Sequence, residues 1–440
     1  MGELLKTTNR PTRNNAFASG GDALATRVMV ALLLISFYYL SYRYPFQINS
    51  STSSPTYADT PTWLQLGKYA LIAAVLALAA IVNAVRGARR ETISEAPFVL
   101  TRLSFALLAG YTITKGIVLG STDMLVLGSG LAAGFILSGL SLKWRIDAGR
   151  LTRVIAVFAL LAIIMEAIQV FLFLSQGRLP ALAYKNSISV RFGSLLDDPN
   201  GFAVLVALAL PVVFVVWKSR PVWRIVLCLA LLVSLVLTQS FTGIAAVALA
   251  LLAGSFALNW RRPLVMAGFL ILVPPVVLGV WDYVTGSAVV QSVWLTKTGS
   301  VNDHASSLDA LGAMGVADVL GFGIPTAAIE SSYVSMISSV GLPFTVMYII
   351  LGLFGVTRLH KTIKSSQKDR EIALHYGAYF YLIAYLIGSI NMQFSQVFPV
   401  DLLYIVAICI SLFKTSDLGQ AGRPLTTTDA GLRMTPSHPR

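Results

Sequence analysis

The sequence predicts an all-α polytopic membrane protein with about twelve transmembrane helices and two long extracytoplasmic loops, on three observations. First, 56% of the 440 residues are hydrophobic and only 12% charged, with a mean hydropathy of +0.74. A soluble domain carries about 25% charged residues, so this chain cannot clothe a water-exposed surface. Second, apolar runs of about 17 or more residues recur along the chain, each able to cross roughly 30 Å of hydrocarbon as a helix that satisfies its own backbone. Third, Lys and Arg gather in alternate connections, which explains the net charge of +13 without a nucleic-acid partner.

The runs follow in order. Residues 1–23 are polar and mixed, hold Lys6, Arg10 and Arg13, and show no signal-peptide cleavage pattern. Leu24–Leu40 is the first run, and the connection Phe46–Pro61 is Ser/Thr-rich without Lys or Arg. Trp63–Val85 ends at Arg86, Arg89 and Arg90. Ala96–Ile113 and Asp123–Leu142 flank a small turn around Lys115 and lead to Lys143, Arg145 and Arg150. Val154–Leu174 encloses Glu166; Phe202–Trp217 ends at Lys218 and Arg220. Arg224–Leu237 is short, and Thr242–Leu258 ends at Arg261 and Arg262 before Leu264–Val280. Tyr333–Phe354, with Gly341-Leu-Pro343 inside it, precedes Arg358, Lys361, Lys364, Lys368 and Arg370. Ile372–Ile390 and Val400–Phe413 complete the set. The transmembrane domain is thus residues 24–413. The Gly/Pro/Thr-rich residues 414–440 read as a disordered tail. Placing the basic connections inside puts both termini in the cytoplasm. The two cysteines, Cys228 and Cys409, sit in apolar runs as packing residues and say nothing about redox compartment.

With that sidedness, the two long outer loops are Ser175–Asn200 and Trp281–Ser332, a length that usually signals function or disorder. The first holds Arg178, Lys185 and Arg191 on a face otherwise poor in cations; the second, twice as long, holds only Lys297. An anionic ligand outside the membrane is the simplest reason. The second also carries His304, the one histidine of four on this side, within Ser300-Val-Asn-Asp-His-Ala-Ser-Ser-Leu-Asp309. Downstream come Leu320-Gly-Phe-Gly-Ile324 and Ile329-Glu-Ser-Ser-Tyr-Val334. Imidazole titrates near neutral pH and a carboxylate can accept a proton, so His304 and Glu330 are the acid–base candidates.

Arg191-Phe-Gly-Ser-Leu-Leu-Asp-Asp-Pro-Asn200 leading into a span, with Thr238-Gln-Ser-Phe-Thr-Gly243 opening another, resembles the signature of the bacterial O-antigen polymerase and O-antigen ligase superfamily. The Gly-Phe-Gly and Glu-Ser-Ser-Tyr segments are similar to that superfamily's large outer loop. The resemblance covers roughly Val154 to Phe354 and implies a GT-C glycosyltransferase that uses an undecaprenyl-diphosphate-linked glycan on the periplasmic face of the inner membrane. It also implies a flippase and a chain-length regulator as partners. Three positions depart from the pattern. His304 stands where ligases commonly have arginine, Glu330 where a histidine is frequent, and Phe241 where an arginine usually follows Thr-x-Ser. These departures favour a polymerase over a ligase.

In such a reaction the departing diphosphate concentrates negative charge, which guanidinium stabilises by bidentate, permanently protonated contacts. Arg191 is the first candidate, with Arg178 or Lys185 as the second cation. His304 or Glu330 takes the acceptor's proton, with Asp198, Asn200 and Tyr333 in support. No metal or other cofactor is expected: Asp197 and Asp198 lack further ligands, and arginine can replace the cation electrostatically.

Each residue also has a plainer role. Asp198-Pro199 is a helix start, Arg191 can snorkel to headgroups, Glu330 can cap the tenth span, and Gly321 and Gly323 can form a turn. Glu166 needs a partner at its depth, with Arg102 and Lys68 as candidates, or else lines a groove. A flippase or transporter is the competing class, and predicts broken helices and ionisable groups at membrane depth.

Overall fold

The computed structural model describes residues 13–38, 48–49, 62–85, 96–176, 179–180, 183–185, 190–196, 198–258, 268, 276–280, 282–283, 309–323, 331–365 and 369–415. They are mostly helical. In chain order the helices are α1 Arg13–Tyr38, α2 Thr62–Val85, α3 Ala96–Leu119, α4 Thr122–Ser141, α5 Ala148–Gln176 and α6 Pro199–Val216. There follow α7 Pro221–Leu237, α8 Phe241–Ala257, α9 Ser332–Val340, α10 Leu342–Ser365, α11 Asp369–Gly388 and α12 Val400–Leu412, with a single helical turn, Val316–Val319, between α8 and α9. Six of these, α2 to α6 and α10, are long and apolar enough to cross a membrane. The α7, α8, α11 and α12 segments are apolar but shorter.

Local chemistry sets the helix starts. Ser121 caps α4 by accepting from Met124 N, Ser240 caps α8 by accepting from Gly243 N, and Ser331 caps α9 by accepting from Val334 N. Proline at the first position begins both α6 and α7, where its missing N–H costs nothing.

Burial separates centre from periphery. In α6, 78% of the span is buried, against 17% in α2. The α12 helix is buried along its whole length. Peripheral helices show bare apolar rows: Leu78 is 60% exposed, Ile81 59%, Ile117 67% and Phe171 65%. Water would not tolerate such rows as a continuous surface; hydrocarbon does. A cluster of buried tyrosines is internally bonded. Tyr348 and Tyr385 share a 2.8 Å hydroxyl contact, Tyr404 donates to Tyr348 O, and the Tyr385 and Tyr404 rings stack at 4.1 Å.

Short ladders tie the ends of the bundle. At one end β2 (Arg145–Ile146) runs parallel to β6 (Lys414–Thr415). There Asp22 accepts from Arg145 N, Thr26 accepts from Asp147 N, and Asp147 pairs with Arg150 at 3.1 Å. At the other end β1 (Ile48–Asn49) pairs with β3 (Leu179–Pro180), and β4 (Ala183–Lys185) pairs with β5 (Val190–Phe192), all antiparallel.

Three expectations change. The tenth span is not one helix from Tyr333 to Phe354: it breaks at Gly341, which stands at φ 89. Pro343, in the first turn of α10, cannot donate to a continuing helix, so α9 ends there and α10 alone is long and apolar enough to cross a membrane. The first helix begins at Arg13, so part of the expected polar N-terminal segment is helical. The expected outer loop 175–200 holds β3, β4 and β5 among its described residues. Of the ninth span, Leu264–Val280, only 268 and 276–280 are described.

Candidate functional site

Arg191 lies on β5 opposite Tyr184, half-buried, where the chain turns back toward α6. Its Nε donates to Thr238 O at 2.8 Å and its Nη2 donates to Asn200 Oδ1. The two segments that carry the family resemblance therefore meet at one guanidinium. Thr238 is shaped for this contact: its Oγ1 donates to Leu235 O and accepts from Ser240 N, which turns the α7 end into α8. Gln239 between them takes φ 49.

Asp198 is spent on the helix. Its carboxylate accepts from Asn200 N at 2.9 Å and Gly201 N at 3.0 Å, capping α6. Burial pushes this carboxyl above the ordinary value, against the pull of those two N–H groups and of Arg191. Asp198 thus organises the α6 start that presents Asn200 to Arg191.

The polar belt continues across the same end. Asn391 Nδ2 donates to Thr242 Oγ1 at 3.1 Å. Ser332, opening α9, donates from Oγ to Met392 O and accepts from Phe394 N and Ser395 N. Tyr333 donates its hydroxyl to Leu386 O at 2.7 Å, so this supporting residue anchors α9 to α11. A Cβ at Gly201 would lie 3.0 Å from Val400, which puts the α6 and α12 starts side by side. Next to Val400, Asp401 is 3% exposed and feels the charge of Lys68. The Lys68 ammonium lies over the Phe398 ring at 4.6 Å and the Tyr69 ring at 5.0 Å.

Not every expected residue joins this site. His304, Glu330, Arg178 and Asp197 lie outside the described residues. Lys185 sits on β4 opposite Val190, and its side chain lies outside the described part. Glu166 has neither expected partner: Arg102 stacks on the Phe135 ring and the Lys68 ammonium lies over the Phe398 and Tyr69 rings, while both Glu166 oxygens lack a hydrogen-bond partner among the described residues. The Gly321-Phe-Gly323 turn is no phosphate cradle, because the N–H groups of Phe322 and Gly323 both donate to Ala317 O. Gly321 O instead accepts from Tyr111 Oη and Lys115 Nζ.

The charge of Lys68 acting on Asp401, and Asn391 against Thr242, were not foreseen. Each pair is far apart in sequence. The available signal was an ionisable residue near the start of an apolar run, at Lys68 and again at Asp401. No group of three or more metal-ligating side chains occurs among the described residues.

No protein-family model matches the chain, and no curated protein matches it in sequence.

Proposed function

We propose that the chain is a polysaccharide polymerase of the bacterial inner membrane, with both termini cytoplasmic. In this reading it joins undecaprenyl-diphosphate-linked repeat units into O-antigen, exopolysaccharide or capsule on the periplasmic face. The observation that carries this reading is the junction of Arg191, Asn200 and Thr238, which unites the two family-like segments around one cation at one end of the bundle. In the proposed reaction the acceptor hydroxyl attacks the anomeric carbon of the donor, and His304 or Glu330 takes its proton. The bond to the diphosphate oxygen breaks, and undecaprenyl diphosphate leaves with its charge held by Arg191 together with Arg178 or Lys185. Asp198 and Asn200 position Arg191; Tyr333 fixes α9.

The test is alanine substitution at Arg191 and His304 in the native host, with immunoblots of the membrane fraction alongside polysaccharide gels. Both variants are expected in the membrane at normal levels, without long-chain polymer. Unchanged chain length in both sinks the assignment. Transfer to lipid A core instead of to another repeat unit would make the chain an O-antigen ligase.

A second reading has its own support. The break at Gly341 and the buried Lys68, Asp401 and Glu166 are features expected of a lipid-linked oligosaccharide flippase or transporter. Repeat units trapped on the cytoplasmic leaflet after gene deletion favour it; units exposed outside but unpolymerised favour the polymerase.

A further inference from the structure

Glu166 on α5 is 3% exposed, and one turn along the same face Gln169 is fully buried. Gln169 donates from Nε2 to Ser194 O at 2.8 Å, which leaves its Oε1 pointing the other way. That oxygen and both Glu166 oxygens have no hydrogen-bond partner among the described residues. One turn before Glu166, Ala162 O accepts from Ser194 Oγ at 2.7 Å. Residues 162, 166 and 169 share one helix face, so the Ser194 turn straddles Glu166 from both sides.

Three buried acceptors with no donor among the described residues define the missing partner. An ionised Glu166 calls for a partner that brings positive charge and needs no acceptor of its own. One carboxylate is neutralised by a single positive charge, whereas a divalent ion would leave an excess buried charge. The surroundings are close-packed: Ala159, Ala162, Phe192 and Ser194 are fully buried, which favours a small ion. We propose that Glu166 and Gln169 bind a sodium ion, with the second lone pair of Ser194 O adding to its oxygen shell. Because Gln169 and Ala162 also hold Ser194, the bound ion fastens the loop that carries Arg191 onto α5. The inference does not depend on glycosyl transfer.

The test uses full-length protein purified in detergent, melted at fixed pH and equal ionic strength in sodium, potassium or choline chloride. A ligand that binds only the folded state raises its melting temperature in a saturable way. Sodium is expected to raise it by several degrees over choline and by more than potassium does, and Glu166→Gln is expected to abolish the difference. Gln169→Leu should weaken it. If Glu166→Gln does not fold, binding of radioactive sodium to the wild type, with one ion per chain, decides instead. Equal melting in all three salts, a sodium effect that survives in Glu166→Gln, or no sodium bound by the wild type overturns the proposal. A response to pH alone would mean that the site takes a proton, and also overturns it.

Discussion

Arg191 and Thr238 are 47 positions apart, yet the guanidinium Nε of one donates to the backbone carbonyl of the other at 2.8 Å. This contact joins the loop before α6 to the turn between α7 and α8, and the same arginine reaches Asn200 in the first turn of α6. A single side chain therefore sets the relative position of three helix ends.

Arg191→Lys keeps the charge but loses the planar fork that serves two acceptors at once. In proteoliposomes supplied with lipid-linked repeat units, Arg191→Ala is expected to slow chain extension on the order of 100-fold or more, as loss of a charge-stabilising donor does. Arg191→Lys should fall between Ala and wild type. Equal rates for Lys and Arg would mean that only net charge matters.

Loss of the α6 cap should be separable from charge. Asp198→Ala removes both cap acceptors and is expected to cost about 1 kcal/mol, read as a lower melting temperature, whereas Asp198→Asn keeps a cap and costs less. The folded carboxyl is held above its ordinary value by burial. Folding therefore takes up a proton in the window upward from about pH 3.9, and stability contributed here falls as pH rises through that window. Asp198→Asn should flatten that slope.

Gly321 and Gly341 interlock, both at positive φ. A Cβ at Gly341 would lie 2.6 Å from Gly321 N, and one at Gly321 would lie 2.5 Å from Val340 O. Either alanine variant is expected to lose at least about 1–3 kcal/mol, the scale of backbone strain alone. Because each disrupts the same contact, the double variant should cost less than the sum of the two. Additive losses in a double-mutant cycle would show that the contact is not shared.

Lys115 donates from Nζ to Gly321 O and to Ser339 O, 2.7 Å away in the second case, and so clamps the 320–323 turn onto the C-terminal end of α9. Lys115→Met is expected to cost about 1.5–3 kcal/mol, the scale of a charged hydrogen bond, and to expose residues 309–323 to protease before the helices. Unchanged cleavage there would mean that the turn is held by other contacts.

Tyr333→Phe removes one hydroxyl bond to Leu386 O. A loss of about 1 kcal/mol in stability with unchanged polymer length is expected. Altered chain length at unchanged stability would move Tyr333 from anchoring to the reaction itself.

Much of the helical plan was legible because hydropathy and caps are local signals. Asp198-Pro199 and Ser240 mark the α6 and α8 starts in the order the sequence predicts. The break in the tenth run was also written locally, in Gly341-Leu-Pro343, but hydropathy averages over such a pair and passes through it. Contacts between distant segments left no such trace. Glu166 stood out as a buried carboxylate, but neither Lys68 nor Arg102 reaches it, since helix rotation decides which residues face each other and no local pattern reports rotation. That the Lys68 charge acts on Asp401 left no local trace for the same reason.

The β2–β6 ladder has one more consequence. Arg145 touches Asp22 through its backbone N–H and pairs in register with Lys414, so these three points share one side of any membrane the bundle crosses. The chain must then make an even number of crossings from Asp22 to Arg145, and another even number from there to Lys414. Odd totals are excluded by a ladder only two residues long, and reporters fused near Asp22 and after Thr415 should light up in the same compartment.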